Sequence, residues 1–154
     1  MVLSAMSVRL WSDTLTVTAE GAPQFIDITP TVQEYIDRSG ITQGFTVVFS
    51  KHTTAAIKIN EHEPELLKDM EAFLSRLSPA DATYFHNDFT VRTVNMEEDE
   101  CPNGHAHCQH LLLSTSETIP VVDGQLALGV YQRVFLVELD RPRPRSVTVQ
   151  VFGT

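Results

Sequence analysis

The sequence is short of the features that mark disulfide-bonded, membrane and secreted proteins. Its 154 residues include only two cysteines, Cys101 and Cys108, and so sparse a count favours free thiols over a structural disulfide. No apolar run approaches the roughly 20 residues that a helix needs to span a bilayer, which argues against a membrane protein. The first residues lack the basic start and the apolar length of a secretory signal, so the sequence predicts a cytoplasmic protein.

Basic residues are also scarce. Eleven Lys and Arg stand against 20 Asp and Glu, and a net charge of -9 opposes binding to a phosphate backbone, so no nucleic-acid partner is expected. Residues 141–145, Arg-Pro-Arg-Pro-Arg, are a local exception, and their prolines favour an extended segment with the arginines on one side. Either this segment is a solvated turn that balances Glu138 and Asp140, or Arg143 contacts an anion while Arg141 and Arg145 stay mainly solvated.

Motifs of three enzyme classes are missing. The chain has no Gly-x-Ser-x-Gly element and no glycine-rich phosphate loop, and neither cysteine lies in a recognisable protease context. Serine hydrolases, proteins with a P-loop or dinucleotide-binding loop, and cysteine proteases are therefore disfavoured. No internal repeat, linker or low-complexity tract interrupts the chain, which predicts one domain over residues 1–154.

Hydrophobic periodicity predicts an α+β fold. Apolar residues at helical spacing predict helices over residues 29–39 and 64–77, and a short third helix is expected within residues 104–113. Strand-like segments occupy residues 8–18, 25–28, 44–50, 55–60, 119–122, 125–128, 132–139 and 146–152, with Asp123-Gly124 as a hairpin turn. Because strands outnumber helices and most connections are short, the sequence predicts a mainly antiparallel sheet with two or three helices rather than a doubly wound parallel sheet.

Half of the six histidines lie in residues 103–110, Asn-Gly-His-Ala-His-Cys-Gln-His. Neutral imidazole is a common ligand of zinc, and in an extended segment His105 and His107 would both reach one metal ion at about 2.0 to 2.1 Å. In a continuous helix, His107 and His110 would share a face instead. Hydrogen bonding of these histidines to loop backbone is the plain alternative. A closed zinc site with the cysteines is disfavoured, because the spacing lacks a Cys-x-x-Cys or His-x-x-x-His pair.

Other polar groups lie at the ends of predicted elements, where functional sites tend to be built. His52 follows one strand, Glu61 follows the next, and His86 and Asp88 come after the second helix. Glu61 and Asp88 are candidates for a general base or for ligands of a hard metal ion. The hydroxyl of Ser116 and its neighbours either binds an oxyanion or ends the preceding helix.

A set of short motifs runs through residues 8–153. They are His-Thr-Thr-Ala-Ala at 52–56, Asn-Glu at 60–61, Asn-Gly-His-Ala-His at 103–107, Ile-Pro-Val at 119–121 with Asp-Gly at 123–124, Leu-Ala-Leu-Gly at 126–129, Gln132, and Val-Glu-Leu-Asp at 137–140 with Arg143. Together they resemble the YjbQ family, also called the secondary thiamine-phosphate synthase family. The combination of the Asn-Gly-His-Ala-His element with the Leu-Gly-x-x-Gln entry to a strand makes chance agreement improbable.

The resemblance implies a compact α+β domain that assembles as a homotrimer, with pockets lined by the histidine and carboxylate segments. It also implies a thiamine-phosphate synthase activity, which joins a hydroxymethylpyrimidine pyrophosphate to a thiazole phosphate with loss of pyrophosphate. The candidate residues are Glu61, His86 and Asp88 for catalysis, His52, His105 and His107 for a divalent metal ion, and Ser116 and Arg143 for the small phosphorylated ligand.

Two other functions stay open at this point. Three histidines suit zinc or manganese better than magnesium, which prefers oxygen donors, so a metal-dependent hydrolase of a small phosphorylated or acyl substrate is one alternative. A non-catalytic trimeric protein that binds a small molecule or a metal ion is the other, since it needs the same ligands without a positioned base.

Overall fold

The strands of the computed structural model, which describes residues 7–154, form two antiparallel sheets. The five-stranded sheet has the order β1 (Arg9–Thr18), β8 (Pro144–Gly153), β3 (Gln43–Ser50), β5 (Ser116–Val122) and β6 (Gln125–Leu126). The three-stranded sheet has the order β2 (Gln24–Asp27), β7 (Gln132–Glu138) and β4 (Ala55–Glu61). Residues 1–6, on which the expectation about a secretory signal rests, lie outside the described residues.

Three helices accompany the sheets within residues 7–154: α1 (Thr29–Ser39), α2 (Pro64–Leu77) and α3 (Gly104–His110). Helix α1 ends at Gly40, whose φ of 63° is the left-handed conformation that glycine adopts at little cost. Helix α2 begins after Glu63, whose carboxylate accepts hydrogen bonds from two backbone N–H groups of the first turn. No helix of the described part is long and apolar enough to cross a membrane. The prediction of a single, mainly antiparallel α+β domain with two or three helices is confirmed.

The core follows from the alternation of side chains along the strands. Val147, Val149 and Val151 of β8 point inward and pack with Ile57 and Leu136 of the other sheet, and helix α1 closes this cluster. The opposite face of the three-stranded sheet packs under α2 and α3. Strand β7 is therefore buried on both faces, which explains its unbroken apolar run at residues 134–137.

The hairpin between β5 and β6 confirms the predicted Asp-Gly turn. Val122 pairs with Gln125, and the two residues between them, Asp123 and Gly124, have positive φ values of 50° and 74°. Positive φ at both central positions matches the right-handed twist of the flanking strands.

A buried ion pair joins the end of β7 to the start of β8. Arg145 is 1% exposed and Glu138 is fully buried, and two guanidinium nitrogens of Arg145 donate to the two carboxylate oxygens. Oε1 of Glu138 also accepts from the backbone N–H groups of Leu139, Asp140 and Arg141 at 3.2, 2.9 and 3.3 Å. The expectation of a solvated Arg145 is wrong, because β8 begins at Pro144 and places Arg145 on the same inward face as the valines of that strand.

Removing one partner of this pair should destabilise the fold strongly. The substitution Arg145→Met leaves the Glu138 carboxylate buried without a counter-charge, so we expect the free energy of unfolding in urea to fall by about 3 to 5 kcal/mol. Lys68→Met is the control, because Lys68 and Glu65 form an exposed pair on α2 and its loss should change the same quantity by at most about 1 kcal/mol. Equal losses in the two variants would contradict a structural role for the buried pair.

Candidate functional site

A cavity of about 300 Å³ lies where β7 ends and β4 begins. Its walls come from the turn before β4, the loop after β7, the irregular segment 88–103 and the first turn of α3. The lining residues are Thr53, His86, Arg92, Asn95, Glu97, Asp99, Glu100, Cys101, Asn103, His107, Arg141 and Arg143. The buried Glu138–Arg145 pair lies directly behind this wall, because Arg145 and Arg143 both donate to the hydroxyl of Thr54.

Three arginines face the cavity with different partners. Arg92 is paired with Glu100 at 2.8 Å, and Arg141 contacts Asp99 at 2.9 Å and the sulfur of Cys101. Nη2 of Arg143 lies 2.8 Å from Oδ2 of Asp140 and 3.2 Å from the hydroxyl of Thr54. Its Nε–H is buried and has no hydrogen-bond partner among residues 7–154, so this guanidinium has a donor to offer.

Two histidines meet at the cavity from different elements. His86 lies in the short 3₁₀ turn Phe85–Asn87 and His107 lies in α3, and their rings pack edge to face with centroids 4.6 Å apart. Burial lowers the pKa of His107, and the neighbouring His86 lowers it further, so His107 is neutral at neutral pH and can accept a proton. Nε2 of His86 is buried and has no partner within the described part of the chain.

Asp140 organises one side of the cavity. Its Oδ2 accepts from Nδ2 of Asn103 at 3.3 Å as well as from Arg143, and its Oδ1 accepts from the thiol of Cys101 at 3.7 Å. Burial raises the pKa of Cys101, and the negative charge of Asp140 adds to this effect. The sulfur is therefore a neutral thiol at neutral pH rather than a thiolate nucleophile.

His52 does not line the cavity but contacts the start of β8 beside it. Its Nε2 accepts a hydrogen bond from the backbone N–H of Ser146 at 2.8 Å, so this nitrogen is already used. Burial lowers the pKa of His52, and the positive charges of Arg145 and Arg143 lower it further. The ring is thus a neutral acceptor at neutral pH, and only its Nδ1 remains for a metal ion.

His105 and His107 do not form a pair. Both lie on helix α3, where residues two apart point about 200° from each other. His107 lines the cavity, whereas the ring of His105 packs 6.5 Å from that of Tyr84. Across residues 7–154, no three His, Cys, Asp or Glu side chains are arranged to hold a metal ion.

The other three predicted site residues do not line the cavity. Glu61 is at the far end of β4, whose seven residues span roughly 20 Å. Asp88 is exposed and accepts hydrogen bonds from the backbone N–H and the hydroxyl of Thr90, which lower its pKa. Ser116 is exposed at the start of β5, opposite Phe49. The structure thus brings together His86, His107 and Arg143 of the predicted set.

Sequence reasoning assigned no site role to most of the lining residues, or to Asp140 beside the lining, and four of these residues are instructive. Arg92 and Cys101 lie in the irregular segment 88–103, which has no periodicity that would place them. Asn103 directly precedes the segment with the three histidines, and Asp140 directly precedes the arginine segment. Their positions in the sequence could therefore have marked them as candidates.

Comparisons with known proteins agree along almost the whole chain. The family model described as UPF0047 protein YjbQ-like matches residues 13–154. A UPF0047 protein of Methanothermobacter thermautotrophicus is 37% identical over 146 residues, which are 95% of this chain and 94% of the relative. The crystal structure of a YbjQ-like protein of unknown function from Sulfolobus solfataricus P2 is similar with a TM-score of 0.85 at 32% identity, covering 96% of this chain and all of that one. A hypothetical protein from Aeropyrum pernix K1 gives a TM-score of 0.83 at 35% identity, covering 94% and 99%.

The role of His52 as a neutral acceptor predicts how stability changes with pH. Because its pKa is lowered in the folded chain, the unfolded chain binds more protons as the pH falls through about 6.5, and the fold loses stability there. His52→Gln keeps an acceptor for the N–H of Ser146 but does not titrate. Urea unfolding at pH 7.5 and 5.5 should therefore show a smaller loss of stability in the variant than in the parent protein. Equal losses would mean that His52 does not contribute.

Proposed function

Since this chain belongs to the UPF0047 YjbQ-like family, we propose that its cavity binds the phosphate groups of a small ligand and serves a thiamine-phosphate synthase reaction. The observation that carries the proposal is the presence, in one cavity, of Arg143 with a free Nε–H beside the His86–His107 pair. A guanidinium offers planar, charged donors that suit phosphate oxygens. The imidazoles add ring nitrogens that hydrogen-bond to a ligand.

In the proposed reaction, the bond between the pyrimidine methylene carbon and the pyrophosphate oxygen breaks, and the oxygen leaves with the electron pair. A bond forms between the same carbon and the thiazole nitrogen, so the products are thiamine phosphate and pyrophosphate. Negative charge grows on the departing oxygens, and donors already in place there lower the barrier. Arg143 supplies such a donor, and Nε2 of His86 supplies a second group for the leaving pyrophosphate.

The acidic segment 97–100 supports an exchange of anions at the mouth of the cavity. Asp99 and Glu100 hold Arg141 and Arg92 through carboxylate oxygens. Phosphate oxygens make the same charge-assisted contacts with guanidinium groups. An entering diphosphate can therefore replace one set of oxygens by another without leaving the arginines unpaired.

A turnover assay separates this proposal from the two alternatives. Protein purified without an affinity tag is incubated with hydroxymethylpyrimidine pyrophosphate and thiazole phosphate, with and without added Mg²⁺, Mn²⁺ or Zn²⁺, and the products are resolved by chromatography. Thiamine phosphate together with pyrophosphate supports the synthase. Release of orthophosphate alone in the presence of a metal ion supports a metal-dependent hydrolase. Binding of the substrates with no product supports a non-catalytic binding protein.

The chain is further proposed to act as a homotrimer, as its motifs imply. The outer face of the five-stranded sheet carries exposed apolar side chains, and the rings of Phe45 and Phe152 lie 5.3 Å apart on it. Leu10 continues this patch on β1, and Phe49 continues it along β3. A contiguous apolar patch of this kind is typical of a subunit interface, and a second copy of the chain is the proposed occupant.

Replacement of the Arg143 guanidinium should weaken anion binding. We expect Arg143→Gln to reduce the affinity for pyrophosphate, measured by isothermal titration calorimetry, by about 1.5 to 3 kcal/mol, which is roughly 10- to 150-fold. Arg76→Gln is the matched control, because Arg76 is exposed on α2 and lies outside the cavity lining. A variant at position 143 that binds pyrophosphate as tightly as the parent protein would remove Arg143 from the anion site.

The apolar sheet face should determine the oligomeric state. Light scattering of the parent protein should give a mass of about three times 17.2 kDa. Phe45→Thr should shift the mass towards that of one chain, since it removes an aromatic ring from the centre of the patch. Phe73→Thr serves as the control because Phe73 is 55% exposed on α2, away from the sheet. A parent mass of 17.2 kDa at micromolar concentration would refute the trimer.

A further inference from the structure

We infer that the cavity selects a phosphate group that still carries a proton, and that Oδ1 of Asn103 accepts the hydrogen bond from that P–OH group. The inference rests on the proposed phosphate-binding function and adds to it the protonation state of the bound group. It also names the side chain that tells phosphate from other tetrahedral anions.

The orientation of the Asn103 amide follows from its neighbour. Its Nδ2 lies 3.3 Å from Oδ2 of Asp140, which is an acceptor, so the nitrogen and not the oxygen must face Asp140. Oδ1 therefore points the other way. Asn103 is only 8% exposed, and Oδ1 has no donor among residues 7–154. A buried acceptor without a donor costs free energy, which a ligand donor would recover.

Arg143 places an unpartnered donor beside this unpartnered acceptor. It contacts the same Oδ2 of Asp140 at 2.8 Å, so the guanidinium and the amide lie side by side on one carboxylate oxygen. Nε of Arg143 can only donate, and Oδ1 of Asn103 can only accept. A ligand that satisfies both must offer an acceptor to Arg143 and a donor to Asn103. A hydrogenphosphate group does so with one P–O⁻ and one P–OH, whereas a sulfate group offers acceptors alone.

Oδ1 of Asn103 and Nε of Arg143 are shielded from solvent, so an entering group must displace part of the wall. The segment 92–101 is the part of the wall that is held mainly by charges. Within the segment Arg92 pairs with Glu100, and the pair Arg141–Asp99 joins the segment to the loop after β7. Exchange of these carboxylates for ligand oxygens opens the way to Asn103 and Arg143.

Methyl phosphate and methyl sulfate provide the test, because they share shape and differ in the proton. At pH 6 about half of the methyl phosphate retains its second proton and carries one negative charge, whereas at pH 8 nearly all of it carries two. Methyl sulfate carries one charge and no proton at both values. If charge alone governs binding, the ratio of the phosphate affinity to the sulfate affinity rises with pH. If the proton is required, the same ratio falls.

The sulfate arm also corrects for titration of the protein. The groups that face the bound anion are the histidines 86 and 107, the arginines 92, 141 and 143, the acids 97, 99, 100 and 140, and the thiol of Cys101. Both ligands face all of them. A change in protein charge therefore alters both affinities, and their ratio reports the ligand proton.

At pH 6, calorimetry should give at least about a tenfold preference for methyl phosphate, the effect of one hydrogen bond to a buried acceptor. Asn103→Leu should bring the ratio close to one. Thr53→Val removes a hydroxyl from the same cavity lining and should keep the preference. Asn103→Asp keeps an acceptor oxygen, so it should keep the preference while binding both anions more weakly next to Asp140.

The outcomes distinguish the inference from the proposed function. Equal affinities of the parent protein for the two ligands at pH 6, or a ratio that rises at pH 8, would overturn the inference and leave phosphate binding intact. A folded N103L variant that keeps the full preference would overturn the role of Asn103. Failure of the parent protein to bind either anion would overturn the proposed function together with the inference.

Discussion

The buried pair of Glu138 and Arg145 is the interaction on which the site depends. It joins the last residue of β7 to the second residue of β8, and Arg145 continues the network to Thr54 before β4. Burying two charges is expensive unless their remaining hydrogen bonds are satisfied. Here three backbone N–H groups complete the shell of the carboxylate. The loop that carries Asp140 and Arg143 is therefore held in one conformation, and the cavity wall takes its shape from it.

The fold was predictable because its signals are local. Pro30 and Gly40 mark the ends of helix α1, the apolar stripe of residues 64–77 defines α2, and Asp123-Gly124 requires the positive φ values of a tight hairpin. The unbroken apolar run of β7 reports burial on both faces. The division into two sheets was not predictable, because strand pairing joins residues far apart in sequence, such as those of β1 and β8.

The site was only partly predictable, because sequence position alone does not fix which end of a strand or which face of a helix points to the cavity. Position at the end of an element marks a residue as a candidate, but a strand has two ends, and Glu61 lies at the end of β4 opposite to the cavity. In the same way, the histidine cluster predicted a site, but only the helical conformation decides that His107 faces it and His105 does not. Arg145 was expected to be solvated like Arg141, but β8 begins at Pro144 and makes Arg145 an inward strand residue, whereas Arg143 stays in the loop.

The charge balance of the cavity is compatible with the proposed binding of a phosphate group by an acidic protein. The three arginines are paired with Glu100, Asp99 and Asp140, and Glu97 adds one further negative charge to the lining, so no arginine of the cavity lacks a carboxylate partner. Two of the paired acids belong to the irregular segment 97–100 and can be exchanged for ligand oxygens, whereas Asp140 is held in place by the loop after β7. In the proposed phosphate site, affinity then rests on the groups that this exchange does not satisfy. These are the Nε–H of Arg143, Nε2 of His86 and Oδ1 of Asn103, and together they require a ligand that both accepts and donates hydrogen bonds.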